Sequence, residues 1–154
     1  MGPPHRMDGE QMAYCTKTDI LKKITDGELA MLTSETGVTD DTVVAECIAE
    51  ADGEIDSYAG RQYVVPMSPV PDRVRNLSID ISIFKAAARR AFKLGAINDS
   101  IRGLYDDAIA FLKDVAAGRA VIDGAVKPSQ NTERTGGFSS ANDRTFTPDS
   151  LKGF

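Results

Sequence analysis

The stretch Gly53-Glu54-Ile55-Asp56-Ser57-Tyr58-Ala59-Gly60-Arg61-Gln62-Tyr63-Val64-Val65-Pro66 decides how this chain folds. Its first half closes an acidic amphipathic helix. Its second half is an Arg-aromatic segment that runs into Pro66, Pro69 and Pro71. Proline fixes φ and lacks a backbone donor, so no helix continues through such a cluster. The stretch is therefore a rigid joint between two helices, with Tyr58 and Tyr63 as large side chains that must be packed. Nothing in it has the makings of a reaction centre.

Upstream of the joint, Thr39-Asp40-Asp41 opens a long helix. Its apolar positions, Val44, Cys47 or Ile48, Ala51, Ile55 and Tyr58, recur at threes and fours. The spacing predicts a helix over Asp40 to Ala59, about 30 Å long at 1.5 Å per residue. Gly53 lies inside it at a cost of about 1 kcal/mol against alanine, so a close approach to the backbone is expected there. Downstream, Pro71-Asp72 begins a second long helix, proline being tolerated in the first turn. Val74, Leu77, Ile81, Phe84, Ala88 and Phe92 mark its expected buried face, and Gly95 its stop. The Ile79-Ile81-Ile83 alternation also fits a strand, but the flanking stripe and the Ala86-Ala87-Ala88 run favour helix. Asn98 or Asp99 caps a third helix with Ile101, Leu104 or Tyr105, Ala108, Phe111 or Leu112 and Val115 as its core stripe, ended by Gly118. Near the N-terminus, Thr18 is expected to cap a short helix through Ile24, and a second turn covers Glu28 to Leu32.

The predicted fold class is thus all-α, a small bundle of three main helices plus short N-terminal helical turns, with an extended C-terminal arm. Residues 1–11, with Pro3, Pro4 and Gly9, read as a disordered leader. Met12-Ala13-Tyr14 is itself a possible start, and the leader holds His5, the only histidine. The helical body takes residues 12–123. From Gly124 onward branched apolar side chains become few, and residues 124–154 cannot bury enough surface to fold alone. Yet this segment carries Phe138, Phe146, Leu151 and Phe154, alternating with Arg134, Arg144 and Lys152. A chain of that length reaches about 100 Å when extended. It reads as an arm that orders on a neighbour through Phe138, Arg144, Phe146, Leu151 and Phe154.

Composition bounds the rest. A chain of 154 residues has room for one domain with a real core and not for two. No apolar run approaches the ~20 residues that span a bilayer, so no membrane partner is expected. Cys15 and Cys47 lack any CxxC spacing and read as two reduced structural thiols, although one disulfide is possible on arithmetic. The net charge of −5 argues against a general nucleic-acid coat, since phosphate contacts need a basic surface.

Chemistry is sparse. No histidine outside the leader can activate a serine or cysteine, and no phosphate-cradling glycine loop is present. Neither cysteine has a metal-ligand partner at the right spacing. Asp40-Asp41, Glu50 with Glu54, and Asp106-Asp107 are paired acids. Glu50 and Glu54, four apart on an amphipathic helix, have the spacing of a solvated face rather than an acid–base pair. The reading is of a protein that is not an enzyme, with no catalytic, metal or cofactor-binding residues. Charge is distributed more tellingly. The first long helix carries Asp40, Asp41, Glu46, Glu50, Asp52, Glu54 and Asp56 and no cation. The second carries Arg73, Arg75, Lys85, Arg89, Arg90 and Lys93. Either the two helices pair within a subunit, or the acids Glu46, Glu50 and Glu54 of one copy meet the basic helix of the next, which closes into a ring if the rotation allows. Arg89, Arg90 and Lys93 are also placed to contact DNA.

Several pieces in order resemble the Mu-like prophage family encoded in the head–tail morphogenesis cluster. They are Met12-Ala13-Tyr14 with Asp19-Ile20, Ala51 with Ile55-Asp56-Ser57-Tyr58, Arg61-Gln62-Tyr63 with Pro66, Asp80-Ile81, and Tyr105-Asp106-Asp107-Ala108 with Leu112, Ala116 and Gly118. The closing Arg144-Thr145-Phe146 and Leu151-Lys152-Gly153-Phe154 also look like the family's C-terminal signature. Ala59 and Ile20 depart from the pattern, where the family tends to have leucine. The resemblance implies a structural virion protein of the phage neck, similar to the helical head–tail connectors, or adaptors. Such proteins form a ring, often of twelve copies, between the portal protein and a tail-side neck protein, line the DNA path and touch packaged DNA transiently. The implied location is the virion neck, after assembly in the host cytoplasm. Two alternatives stand beside it: a stopper or tail-terminator ring protein, which would tend to be β-rich, and a small helical DNA-binding regulator acting through Arg89, Arg90 and Lys93.

Overall fold

The computed structural model describes residues 12–94 and 97–129. Its order is α1 (Lys17–Leu21), α2 (Asp26–Thr33), α3 (Asp41–Ala59), α4 (Asp72–Leu94) and α5 (Asp99–Ala116), and the described residues contain no strand. The fold is all-α, as the periodicity predicts. Side chains at the helix starts explain their boundaries. Asp40 accepts from the Thr42 and Val43 N–H groups and Asn98 from that of Ser100, so orphan donors at both N-termini are satisfied. Pro71 supplies the carbonyl that accepts the first bond of α4, from Arg75. At the other end of α5, Gly118 takes φ +74°, a left-handed turn that glycine adopts without penalty.

The N-terminal helices differ from expectation in detail. Thr16, not Thr18, caps α1, because only Thr16 can trade bonds with Asp19 in a reciprocal capping box. Thr25 and Glu28 form the same box at α2, which starts earlier and runs longer than the expected turn.

Helix α4 is central. Ile79 and Ile83 enter one apolar cluster with Cys15, Ile20, Leu29, Val44 and Ile48. Val74, Leu77 and Ile81 enter the other, among Tyr14, Ala51, Ile55, Ala59, Tyr63, Leu112 and Val115. The isoleucine alternation is thus a helix buried on two sides, since residues four apart share a face and residues two apart do not. Each such side chain fully withdrawn from water contributes about 1.5–3 kcal/mol. Phe84 stacks on Tyr105 with centroids 3.9 Å apart, which aligns α4 with α5.

Two expectations fail here. Phe92, read as core, is 94% exposed. The Phe84–Tyr105 pairing explains why: eight residues further along α4, the antiparallel α5 has not yet begun. Gly53 is not a point of close approach, because a Cβ built there meets nothing within 4 Å. Both cysteines are buried and free.

The proline joint packs as its tyrosines require. Tyr63 is buried and its hydroxyl accepts from the Ile122 N–H at 3.0 Å, while Tyr58 is half-buried against the same core. The Val65-Pro66 and Ser68-Pro69 bonds are cis. The Val64 N–H donates to the Val126 carbonyl at 2.8 Å, and Ala125 packs on the core, so Ala125 and Val126 are tied to the joint.

Candidate functional site

The acidic and basic helices lie side by side within one chain. Arg89 donates to Glu46 at 2.6 Å and to Glu50 at 2.5 Å, and Arg90 to Glu35 at 3.3 Å. The two carboxylates raise the Arg89 pKa further above its ordinary value, so it stays a cation. Glu54 is more enclosed: Lys85 pairs with one oxygen at 2.8 Å and the Tyr105 hydroxyl donates to the other at 2.8 Å. That acid therefore joins α3, α4 and α5. Burial, and then the bond to Glu54, push the Tyr105 phenol up to about 12. Partly exposed pairs of the Arg89 kind contribute up to about 1 kcal/mol each. Their role is to set the register of α3 against α4 rather than to supply bulk stability.

Of the residues singled out from the sequence, the structure brings Glu46, Glu50, Arg89 and Glu54 onto this seam. Lys93 is described only in its backbone. Phe138, Arg144, Phe146, Leu151 and Phe154 lie outside the described residues.

A second polar cluster was not legible from motifs. The segment before α1 runs across α3 and α4, and Tyr14 is 2% exposed. Its N–H donates to Asp52 at 2.9 Å, its hydroxyl donates to Asp56, and that hydroxyl accepts from the Met67 N–H at 2.9 Å. Asp52 also accepts from the Ser78 hydroxyl at 2.6 Å. Burial pushes the Asp52 carboxyl above the ordinary range, with the Ser78 and Tyr14 donors pulling it back. Burial likewise pushes the Cys15 thiol up to about 11, with the Ser78 hydroxyl oxygen 3.2 Å away pulling it partly back. A thiol held protonated in this way is a poor nucleophile. The cluster is a structural tie that fastens the N-terminal segment, the proline joint and two helices together. The signal for it was available only as Asp52 on the apolar side of α3.

Beside this tie runs a groove of about 380 Å³, walled by Ala13, Ala45 and Ala49 and floored by Cys15, Ile48 and Asp52. Among the described residues, no group of three or more His, Cys, Asp or Glu is arranged to hold a metal ion. No described helix is long and apolar enough to cross a membrane. What the described residues do offer is a charged seam and a groove.

The family model described as bacteriophage Mu, Gp36 matches residues 14–141, from the buried tyrosine through all five helices. The chain belongs to the bacteriophage Mu Gp36 family. Gp36 of the Mu-like prophage FluMu, from Haemophilus influenzae, is 30% identical over 107 residues, covering 68% of this chain and 72% of that relative. The resemblance read from Tyr14, the Ile55–Tyr58 stretch and the Arg61–Tyr63 joint is therefore correct at the level of the family. In this Gp36 family member the matched span stops before Arg144–Phe154.

Proposed function

We propose that this protein is a structural component of a Mu-like phage particle, a head–tail connector that forms a ring between the portal and the tail-side neck and surrounds the DNA path. The observation that carries the reading is membership of the Mu Gp36 family over a helical body whose side chains make ties and surfaces rather than a reaction centre. Its C-terminal residues, with Phe138, Phe146, Leu151 and Phe154, provide the docking element for the portal or for an adjacent subunit. A net charge of −5, with 23 acidic against 18 basic side chains, suits a component past which DNA slides rather than one that holds phosphates.

The stopper or terminator reading sits less well with a helical body. The DNA-binding regulator needs Arg89 and Arg90, and both guanidiniums are already engaged by Glu46, Glu50 and Glu35. Purified virions test the proposal. The chain is expected in them at several copies per particle, co-purifying with the portal after the tails are sheared off. Particles that are infectious and free of it would rule the reading out.

A further inference from the structure

Cations at the two ends of the bundle differ in their pairing. Most described lysines and arginines have a carboxylate partner, from Lys17 with Asp41 to Arg119 with Asp114. Among the described residues, Arg61, Arg73, Arg102, Lys113 and Lys127 have none. All of these except Arg102, in the first turn of α5, lie at the end that the proline joint closes. Arg61 follows the last turn of α3. Lys113 stands in the last turn of α5, where Gln62 of the joint donates to the Ala116 carbonyl at 3.2 Å. Arg73 lies over the Phe111 ring, 4.3 Å from its centroid, and Lys127 follows Val126, whose carbonyl is held by Val64. At this end Asp72 and Asp114 are already engaged by Arg75 and Arg119, and Asp123 is exposed. Asp99, Asp106 and Asp107, which have no cation partner among the described residues, sit instead on the first half of α5. In a chain of net charge −5, the joint end is a local reversal of sign.

Two of the unpaired cations share a groove. Ser57, Tyr58, Arg61, Lys113, Ala116 and Ala117 line an open groove of about 350 Å³ at the ends of α3 and α5, and no described carboxylate is among its walls. Arg61 and Lys113 are exposed, and the half-buried Tyr58 has a hydroxyl without a hydrogen-bond partner among the described residues. The groove thus offers a planar guanidinium fork, an ammonium and a phenol O–H, a donor set that fits phosphate oxygens. The helix dipole accounts for a lysine in a last turn, but not for three unpartnered donors around one groove. We infer that the Arg61–Lys113 groove contacts backbone phosphates of duplex DNA, with Arg73 and Lys127 extending the contact along the same end. The inference rests on the connector reading, in which each copy turns one face to the DNA path, and it names that face. A duplex carries a charge about every 1.7 Å and so engages several separated cations, whereas one carboxylate of a protein partner engages a single pair. A few cations per copy touch the backbone without gripping it, which leaves DNA free to pass.

The test titrates the full chain into fluorescein-labelled duplexes of unrelated sequence and follows anisotropy over a series of salt concentrations. The wild type is expected to bind every sequence alike and weakly, with a dissociation constant of about 10⁻⁴ M at low salt. Arg61→Gln and Lys113→Gln change exposed side chains, so helical circular dichroism should be kept. Together they are expected to weaken binding about tenfold and to lower the slope of log K against log salt by about 1.8. Arg102→Gln removes a cation from the other end and is expected to leave the affinity within about twofold. No binding at low salt overturns the inference. So does a double variant that binds like the wild type, or Arg102→Gln proving as costly as Arg61→Gln. Polyglutamate binding more tightly than DNA, with that binding lost in the double variant, assigns the groove to an acidic protein partner and overturns it too. Virions that contain the chain, beside a purified protein that ignores DNA, remove this inference alone. Infectious virions without the chain remove the connector reading whatever the DNA result.

Discussion

Replacing Tyr14 by alanine is expected to lower the free energy of unfolding by about 3–5 kcal/mol, a large part of the 5–15 kcal/mol typical of a domain. The ring is 2% exposed and sits in the larger core cluster with Ile55, Ile81 and Leu112, so its removal leaves a cavity. Its hydroxyl satisfies the Met67 N–H and engages Asp56, which fastens the proline joint to α3. Tyr14→Phe separates the two contributions. It keeps the packing and strands the Met67 N–H, at about 1–3 kcal/mol. Urea unfolding followed by circular dichroism measures both. The alanine variant should also expose Cys15, which is 1% exposed in the native chain, so its reaction with a thiol reagent should become fast. An alanine variant within 1 kcal/mol of the wild type, with Cys15 still protected, would show that the N-terminal segment is not the tie described.

Deleting Gly136–Phe154 is expected to leave the helical body intact and abolish incorporation into particles. The body is closed before the deletion begins. Ile122 is 1% exposed, its N–H is held by Tyr63, and Val126 accepts from Val64. Circular dichroism and the melting temperature should therefore barely change. What is lost is Phe138, Phe146, Leu151 and Phe154, each worth about 1.5–3 kcal/mol when buried on a partner. From residue 130 onward the chain spans at most about 80 Å, well beyond the roughly 13 Å radius of gyration of such a body. An induced prophage carrying the deletion should yield heads without joined tails. Normal particles containing the shortened chain would refute the role given to this segment.

The long helices were legible because their determinants are local. Asp40 caps α3, Pro71 and Asp72 open α4, and threes-and-fours spacing gives the stripes. The joint at Gly60–Pro71 was legible because proline chemistry is local too. Tyr14 was not: its partners Asp52, Asp56 and Met67 are 38, 42 and 53 residues away. Phe92 was misplaced for a related reason. Periodicity continues a stripe to the end of a helix, whereas burial stops where the neighbouring helix stops. For the charged seam, composition supplied the two signs but left open whether the pairing was within a chain or between chains. Arg89 with Glu46 and Glu50 supplies the answer for one chain, through long side chains crossing from α4 to α3. Family membership was readable from short motifs in order, since Tyr14, Ile55–Tyr58 and Arg61–Tyr63 are the residues that build the tie and the joint.

The most direct test of the proposed connector role is the absolute mass of the protein by light scattering after size exclusion, alone and mixed with its cognate portal protein. The account predicts a portal-bound ring of fixed stoichiometry, with many copies per portal. A protein that stays monomeric or dimeric and elutes apart from the portal would contradict it.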